Sequence, residues 1–235
     1  MATFLLIHGA GDGGWYWHLV EPELRALGHD VVAPDLPAGD DSAHLADYVD
    51  VVADAVGDRR DLVVVGQSFG GITAPLVVDR LSADRLVFVA GMIPVPGEAP
   101  EDWWAGAGYR QAVAEQAARD GGLTGSDDPF VAFYHDVPRP VAEEALRRER
   151  RHPCGHLDEP WPLPALPDVP TRFVLGTEDR FFPAALLRRL VAERLPGVTP
   201  DEIAAGHCCA LSRPAELARL LHGCATDTLH ARPAG

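Results

Sequence analysis

The sequence predicts a mainly parallel, doubly wound α/β sheet, and three observations lead to that prediction. Short apolar runs alternate with helix-length segments along most of the 235 residues. The runs are continuous rather than alternating in polarity, as in strands that are buried on both faces. The chain is also long enough to bury one sizeable core. We therefore expect residues 1–235 to form one domain with helices on both faces of the sheet.

The strands and helices follow one another in regular order. The predicted strands are Thr3–Ile7, Asp30–Pro34, Leu62–Gly66, Arg85–Ala90, Thr171–Gly176 and a weaker one near Val198–Ile203. The predicted helices are Trp17–Leu27, Ser42–Val56, Phe69–Leu81, Pro183 to about Arg194, and Arg213 to about Cys224. Pro183 and Pro214 favour the last two helices, because proline is common in the first helical turn.

A segment from about residue 95 to 170 interrupts this order. It contains no strand-like run, many prolines and a helical stretch at Pro140–Arg151. An insertion of this length is typical of a lid over the sheet edge. A helical cap that only completes the core would carry the same aromatic residues, so both interpretations stay open. Those aromatic residues are Trp103, Trp104, Tyr109, Phe130, Phe133, Tyr134 and Trp161.

Charge and composition exclude several classes of function. The net charge of −15 repels phosphate backbones and anionic lipid surfaces, so we expect neither nucleic acid nor a membrane as partner. The chain contains no lysine, which excludes a lysine Schiff base and the phosphate-loop lysine. No apolar stretch reaches the ~18 residues of a membrane span, and no signal peptide is recognisable. The four cysteines, Cys154, Cys208, Cys209 and Cys224, lack metal-ligand or disulfide-framework spacing, which suits a reducing cytoplasm.

The stretch VVVGQSFGG contains G-x-S-x-G, with Ser68 between Gly66 and Gly70. The motif follows a predicted strand and precedes a predicted helix, as a nucleophile elbow requires. Glycines on either side permit the sharp turn that exposes the serine at the helix N-terminus, where developing negative charge is favoured. Ser68 is therefore the predicted nucleophile.

A serine hydroxyl needs a base, and the base needs an orienting acid. In hydrolases with this motif the order along the chain is serine, acid, histidine. Asp179 follows the strand Thr171–Gly176, and His207 follows the last predicted strand. Glu178 is the main rival for the acid. We predict Ser68, Asp179 and His207 as a catalytic triad.

The first loop carries a second motif with two interpretations. Gly9, Gly11 and Gly14 spell G-x-G-x-x-G after a strand, and Asp35 follows about 20 residues later, as in a dinucleotide site. However, three aromatic residues follow Gly14 at once, where a dinucleotide site needs a free helix N-terminus.

An oxyanion loop accounts for this stretch better. A tetrahedral oxyanion needs two N–H donors, one of them on the residue after the nucleophile, which is Phe69. A His-Gly pair after the first strand lets the main chain approach closely, and the second donor would then be Ala10. We interpret the match at Asp35 as a coincidence.

Four segments, HGAGDGGWYW, GQSFGG, GTEDRFFP and GHCCALSRPAELA, resemble the α/β-hydrolase superfamily. The similarity is strongest to the small branch that holds plant-type methylesterases, hydroxynitrile lyases and bacterial esterases. It implies the same triad and the same oxyanion donors, Ala10 and Phe69. It also implies that Thr3–Ile7 corresponds to the family's third strand, so we expect a sheet without the usual first two.

The leading functional expectation is hydrolysis of a small carboxylic ester through an acyl-serine, with no cofactor and no metal. The lid aromatics favour an apolar or aromatic group on the substrate, and a homodimer is left open. Alternatives are a hydroxynitrile lyase, a non-catalytic ligand receptor and, from the first loop, an NAD-dependent dehydrogenase. The resemblance implies that the lyases carry lysine after the catalytic histidine and threonine after the oxyanion-loop histidine; here those positions hold Cys208 and Gly9.

Overall fold

A computed structural model describes residues 1–150 and 157–226. Its centre is a six-stranded sheet in the order β2-β1-β3-β4-β5-β6, in which every neighbouring pair is parallel. The strands are β1 (Thr3–Ile7), β2 (Asp30–Val32), β3 (Leu62–Gln67), β4 (Arg85–Val89), β5 (Thr171–Gly176) and β6 (Asp201–Ile203). The predicted fold class, a parallel α/β sheet, is confirmed.

The sheet is doubly wound because the chain runs outward from β1 to β2 and then returns to β3 on the other side of β1. Successive residues of β1 point to opposite faces and enter two separate cores. Leu5 and Ile7 lie in one apolar cluster, whereas Phe4 and Leu6 lie in the other. All four are fully buried, which explains why the run is continuously apolar.

The helices divide between the two faces. Residues of α2 (Leu45–Val56), α3 (Gly70–Leu81) and α8 (Ala184–Arg194) belong to the first cluster. Residues of α1 (Val20–Ala26), α9 (Cys209–Ser212) and α10 (Pro214–Thr226) belong to the second. The remaining described helices, α4 (Trp103–Gly106), α5 (Tyr109–Asp120), α6 (Pro129–Ala132) and α7 (Arg139–Arg148), lie between β4 and β5 along the chain.

Two predicted helices, α1 and α2, begin three residues later than expected. The residues after the first loop form a short 3₁₀ turn, Gly14–Trp17, before α1, and this turn buries Trp17 completely. Helix α2 begins at Leu45 rather than Ser42. The Asp47 carboxylate accepts a hydrogen bond from the His44 N–H, which satisfies one of the donors at the start of the helix.

The segment predicted as a lid contains α4 to α7 and has no strand among its described residues. Two of its three tryptophans belong to the core. Trp103 and Trp161 are fully buried, and their indole N–H groups donate to the carbonyl oxygens of Ile93 and Ile72. These two side chains complete the core on one face of the sheet. Opening of the segment stays a prediction.

The remaining predictions concern the last helix, Cys154, the end of the chain and membrane spans. Helix α10, predicted from Arg213 to about Cys224, begins at Pro214 and continues to Thr226. Cys154 and the chain beyond Thr226 lie outside the described residues. Within the described ranges, no helix combines the length and the apolar character that crossing a membrane would need.

We expect Phe88→Ala to lower the free energy of unfolding by about 3–5 kcal/mol, because it leaves a cavity in a close-packed core. Phe88 is fully buried in the central strand β4 and stacks on Phe173 with ring centroids 6.0 Å apart. Leu123→Ala is the control, since Leu123 is 40% exposed, and it should change stability by less than about 0.5 kcal/mol. Urea unfolding measures both variants. Equal losses of unfolding free energy in the two variants would contradict the burial of Phe88 in the core.

Candidate active site

Ser68 lies in a strained turn between β3 and α3. Its φ of +50° falls in the left-handed region, which costs a non-glycine residue about 1–3 kcal/mol. Three main-chain hydrogen bonds hold this conformation: the Ser68 N–H donates to Val89 O, and Ser68 O accepts from Gly71 N–H and Met92 N–H. The turn is therefore fixed by strand β4 and by the segment that follows it.

The glycines of the G-x-S-x-G motif are required by close approach of the main chain. A Cβ atom on Gly66 would lie 2.7 Å from the carbonyl oxygen of Gly70. A Cβ atom on Gly70 would lie 2.6 Å from His8 O. Both distances are below any real carbon contact. The serine turn and the loop after β1 can meet only because these positions lack side chains.

The structure brings the three predicted triad residues together. His207 Nε2 lies 3.0 Å from Ser68 Oγ, and His207 Nδ1 lies 2.8 Å from Asp179 Oδ2. The carboxylate can only accept, so Nδ1 carries the proton and Nε2 accepts the hydrogen bond from the serine hydroxyl. This is the tautomer that a general base needs.

Asp179 is oriented by main-chain donors. Its Oδ1 accepts hydrogen bonds from the N–H groups of Phe181 and Phe182, both at 2.8 Å. Oδ2 is then left to face His207, and the carboxylate side chain has no exposed surface. The rival acid, Glu178, is exposed. Asp179, and not Glu178, makes the hydrogen bond to the imidazole.

Three aromatic rings surround the His207 imidazole. Phe133, Phe181 and Phe182 meet it edge-on, with centroid distances of 5.7, 4.9 and 5.2 Å. His207 itself is 3% exposed. The rings restrict rotation of the imidazole and exclude water from the Asp179 hydrogen bond, which strengthens that bond.

His8 holds the loop after β1. The Leu36 N–H donates to His8 Nε2 at 3.1 Å, so Nδ1 carries the proton and donates to Gly9 O at 2.8 Å. Burial lowers the pKa of His8 to about 4, and the ring is neutral at physiological pH. His8 thus ties the loop after β1 to the segment after β2 without bringing a charge.

Asp35 has a structural role that explains the dinucleotide-like pattern. Its Oδ1 accepts a hydrogen bond from the Gly14 N–H at 2.7 Å, and a Cβ atom on Gly14 would lie 2.1 Å from Ala33 O. The glycine and the acid tie the first loop to the end of β2. A 3₁₀ turn begins at Gly14, so the first loop does not lead directly into an α-helix as the loop of a dinucleotide site does.

A cavity of about 420 Å³ opens beside Ser68 and His207. Both predicted oxyanion residues, Ala10 and Phe69, line it. The other lining residues are Gly9, Gly11, Asp12, Gln67, Met92, Trp104, Asp127, Pro129, Phe133, Tyr134, Leu146, Glu149, Phe181 and Cys208. Across the described ranges, no group of three or more histidine, cysteine, aspartate or glutamate side chains is arranged to hold a metal ion.

Comparison with known proteins identifies the family. Residues 4–220 match the model of the alpha/beta hydrolase family. The chain belongs to this family. A pyrethroid hydrolase from Sphingobium faniae JZ-2 superposes with a TM-score of 0.78 at 21% identity, over 97% of this chain and 98% of that one. A likeness at this identity establishes the fold of the α/β hydrolase and no more.

Two plant proteins are similar over part of the sequence. Norfluorocurarine synthase 1 from Strychnos nux-vomica is 32% identical over 39% of this chain and 39% of its own length. Methylesterase 2 from Arabidopsis thaliana is 34% identical over 41% of this chain and 42% of its own length. The matched region therefore spans about two fifths of these curated relatives.

Two polar residues of this α/β hydrolase, His135 and Asp136, were not predicted from its sequence. His135 Nε2 donates to Glu178 O at 3.0 Å, and Asp136 Oδ2 accepts from the Gly206 N–H at 2.8 Å. They connect the segment between β4 and β5 to both loops that carry Asp179 and His207. No motif marks them, because their partners are main-chain atoms distant in sequence.

The neutral state of His8 predicts a pH-dependent stability. As the pH falls below the ordinary histidine pKa of about 6.5, the unfolded chain takes up a proton on His8, but burial lowers the pKa in the folded chain to about 4. The unfolding free energy should therefore fall through this window by about 1.4 kcal/mol per pH unit from this group. In His8→Asn this contribution is absent. Urea titrations from pH 7 to 4 measure both slopes, and identical slopes would contradict a buried neutral His8.

Proposed function

We propose that this chain hydrolyses carboxylic esters through an acyl-serine intermediate. The observation that carries the proposal is the hydrogen-bonded series Ser68–His207–Asp179 at the wall of a cavity. Membership of the alpha/beta hydrolase family and similarity to a plant methylesterase support it. A small ester with an apolar or aromatic group is the substrate class, because aromatic side chains line much of the cavity.

Acylation begins when His207 Nε2 takes the proton of Ser68 Oγ as that oxygen attacks the ester carbonyl. Asp179 keeps the proton of the imidazole on Nδ1 and stabilises the imidazolium that forms. The N–H groups of Ala10 and Phe69 receive the negative charge of the tetrahedral oxygen. His207 then gives its proton to the departing alcohol, and the acyl group stays on Ser68.

Deacylation repeats these steps with water as the nucleophile. His207 accepts a proton from water as the oxygen attacks the acyl carbonyl, and the same two N–H groups hold the second oxyanion. The proton returns to Ser68 Oγ as the carboxylic acid leaves. These steps use only groups of this chain and water.

The position after His207 argues against a cyanohydrin lyase. Cys208 lines the cavity, but burial raises the pKa of its thiol well above the usual range. A neutral thiol brings no positive charge to a departing cyanide. Gly9, with no side chain, offers no hydroxyl to the substrate oxygen. Ester cleavage fits both positions.

We expect hydrolysis of p-nitrophenyl acetate or butyrate, and a loss of about 10³-fold or more in Ser68→Ala because the nucleophile is removed. The absorbance of the released p-nitrophenolate measures the rate. Mandelonitrile is the parallel substrate, and cyanide release should stay at the uncatalysed rate. Serine-dependent cyanide release without ester turnover would overturn the proposal in favour of a lyase. Absence of both reactions would favour a ligand receptor.

The two adjacent carboxylates give a matched pair of variants. Asp179→Asn should lower kcat by orders of magnitude, since an amide does not hold the imidazole in the required tautomer. Glu178→Gln alters an exposed side chain and should leave kcat within about threefold of wild type. Steady-state kinetics with the same ester measure both. The reverse order of effects would assign the acid to Glu178.

A further inference from the structure

The cavity beside Ser68 has an unusual lining for a site that accepts neutral esters. Three acidic residues, Asp12, Asp127 and Glu149, line it, and no arginine of the described residues does. The aromatic side chains on the same walls are Trp104, Phe133, Tyr134 and Phe181. Carboxylates together with the faces of aromatic rings are the groups that bind organic cations.

Of these three acidic residues, Asp12 is the one on the loop that is proposed to hold the oxyanion. It lies on the same loop as Ala10, two residues further along, and it is a partly buried residue of the cavity lining. Burial raises the pKa of this carboxyl to about 7, and Glu149 raises it further, whereas His207 opposes the shift. Within the described ranges, no arginine makes an ion pair with Asp12.

A negative charge at this position conflicts with ester cleavage. The loop of Ala10 is proposed to stabilise a developing oxyanion, and a carboxylate on that loop repels the same charge. The conflict disappears when a positive group is bound beside Asp12. A cationic substrate would bring that group into the cavity itself.

We propose that the cavity selects esters that carry a positively charged nitrogen, either a protonated amine or a quaternary ammonium. Asp12 and Glu149 are its counter-ions, and the aromatic walls contact its alkyl groups. This proposal rests on the ester hydrolysis proposed above and names the substrate class of the same site. The net charge of −15 adds a field that draws cations toward the protein.

Two esters of nearly the same shape test the proposal. Acetylcholine and 3,3-dimethylbutyl acetate differ only in a charged nitrogen against a neutral carbon. At pH 8, where Asp12 is ionised, we expect kcat/KM for acetylcholine to exceed that for the neutral ester at least about tenfold, equivalent to about 1.4 kcal/mol. Equal values, or a preference for the neutral ester, would overturn the proposal.

Variants assign the preference to the named side chains. Asp12→Asn keeps the shape of the carboxyl group without its charge, and the preference should fall severalfold toward unity; Glu149→Gln should lower it less. Asp54→Asn removes the same charge from the exposed face of α2 and should leave the preference within about twofold of wild type. An unchanged preference in Asp12→Asn, with its melting temperature preserved, would overturn the role of Asp12.

A binding measurement separates this proposal from the proposed function. If Ser68-dependent hydrolysis of p-nitrophenyl acetate is present, the function stands whatever the outcome for cations. If hydrolysis is absent, phenyltrimethylammonium and its neutral analogue tert-butylbenzene are compared by thermal shift. Stabilisation by the cation alone, lost in Asp12→Asn, supports cation recognition, since a ligand that binds only the folded state raises its stability. Equal or absent shifts would overturn it.

Discussion

Close packing of main chain against main chain at the carboxyl edge of the sheet determines the geometry of the site. A Cβ atom on Gly9 would lie 2.9 Å from Ser68 Cβ, and one on Gly71 would lie 2.4 Å from Met92 O. A Cβ atom on Gly176 would lie 2.4 Å from Ala205 O, where the loops of Asp179 and His207 meet. Glycine at these positions allows three loops from different strands to converge within hydrogen-bonding distance.

The convergence leaves few degrees of freedom for the polar groups. Ser68 is held by three main-chain hydrogen bonds, and Asp179 by two main-chain donors besides the imidazole. His8 fixes the first loop while staying neutral because burial lowers its pKa. The energy of folding therefore orients these dipoles before any substrate binds, which is the condition for strong electrostatic stabilisation of a transition state.

Periodicity and motif spacing were sufficient to predict the sheet, because buried parallel strands are short and uniformly apolar. Thr3–Ile7 and Thr171–Gly176 begin and end where the sequence predicts. The order serine, acid, histidine also selected the residues that the structure brings together. The sequence favoured Asp179 over its neighbour Glu178, and the fold adds the burial and the side-chain direction that distinguish the two carboxylates.

Long-range contacts account for what the sequence did not reveal. The tryptophans of the segment between β4 and β5 look alike in sequence, yet Trp103 is fully buried, whereas Trp104 lines the cavity. The partner of Asp35 is a main-chain N–H on the first loop, a contact that no local pattern encodes. The acidic lining was hidden for the same reason, because Asp12 and Glu149 come from distant parts of the chain.

The hydrogen bonds of His135 and Asp136 bear on how such a protein can change during evolution. They attach the segment between β4 and β5 to the loops of Asp179 and His207, so this segment is not an independent module. A segment transplanted from a relative would alter the cavity walls and would also remove two anchors of the proposed acid and base. New specificities are therefore more accessible through single replacements on the cavity walls than through exchange of the whole segment.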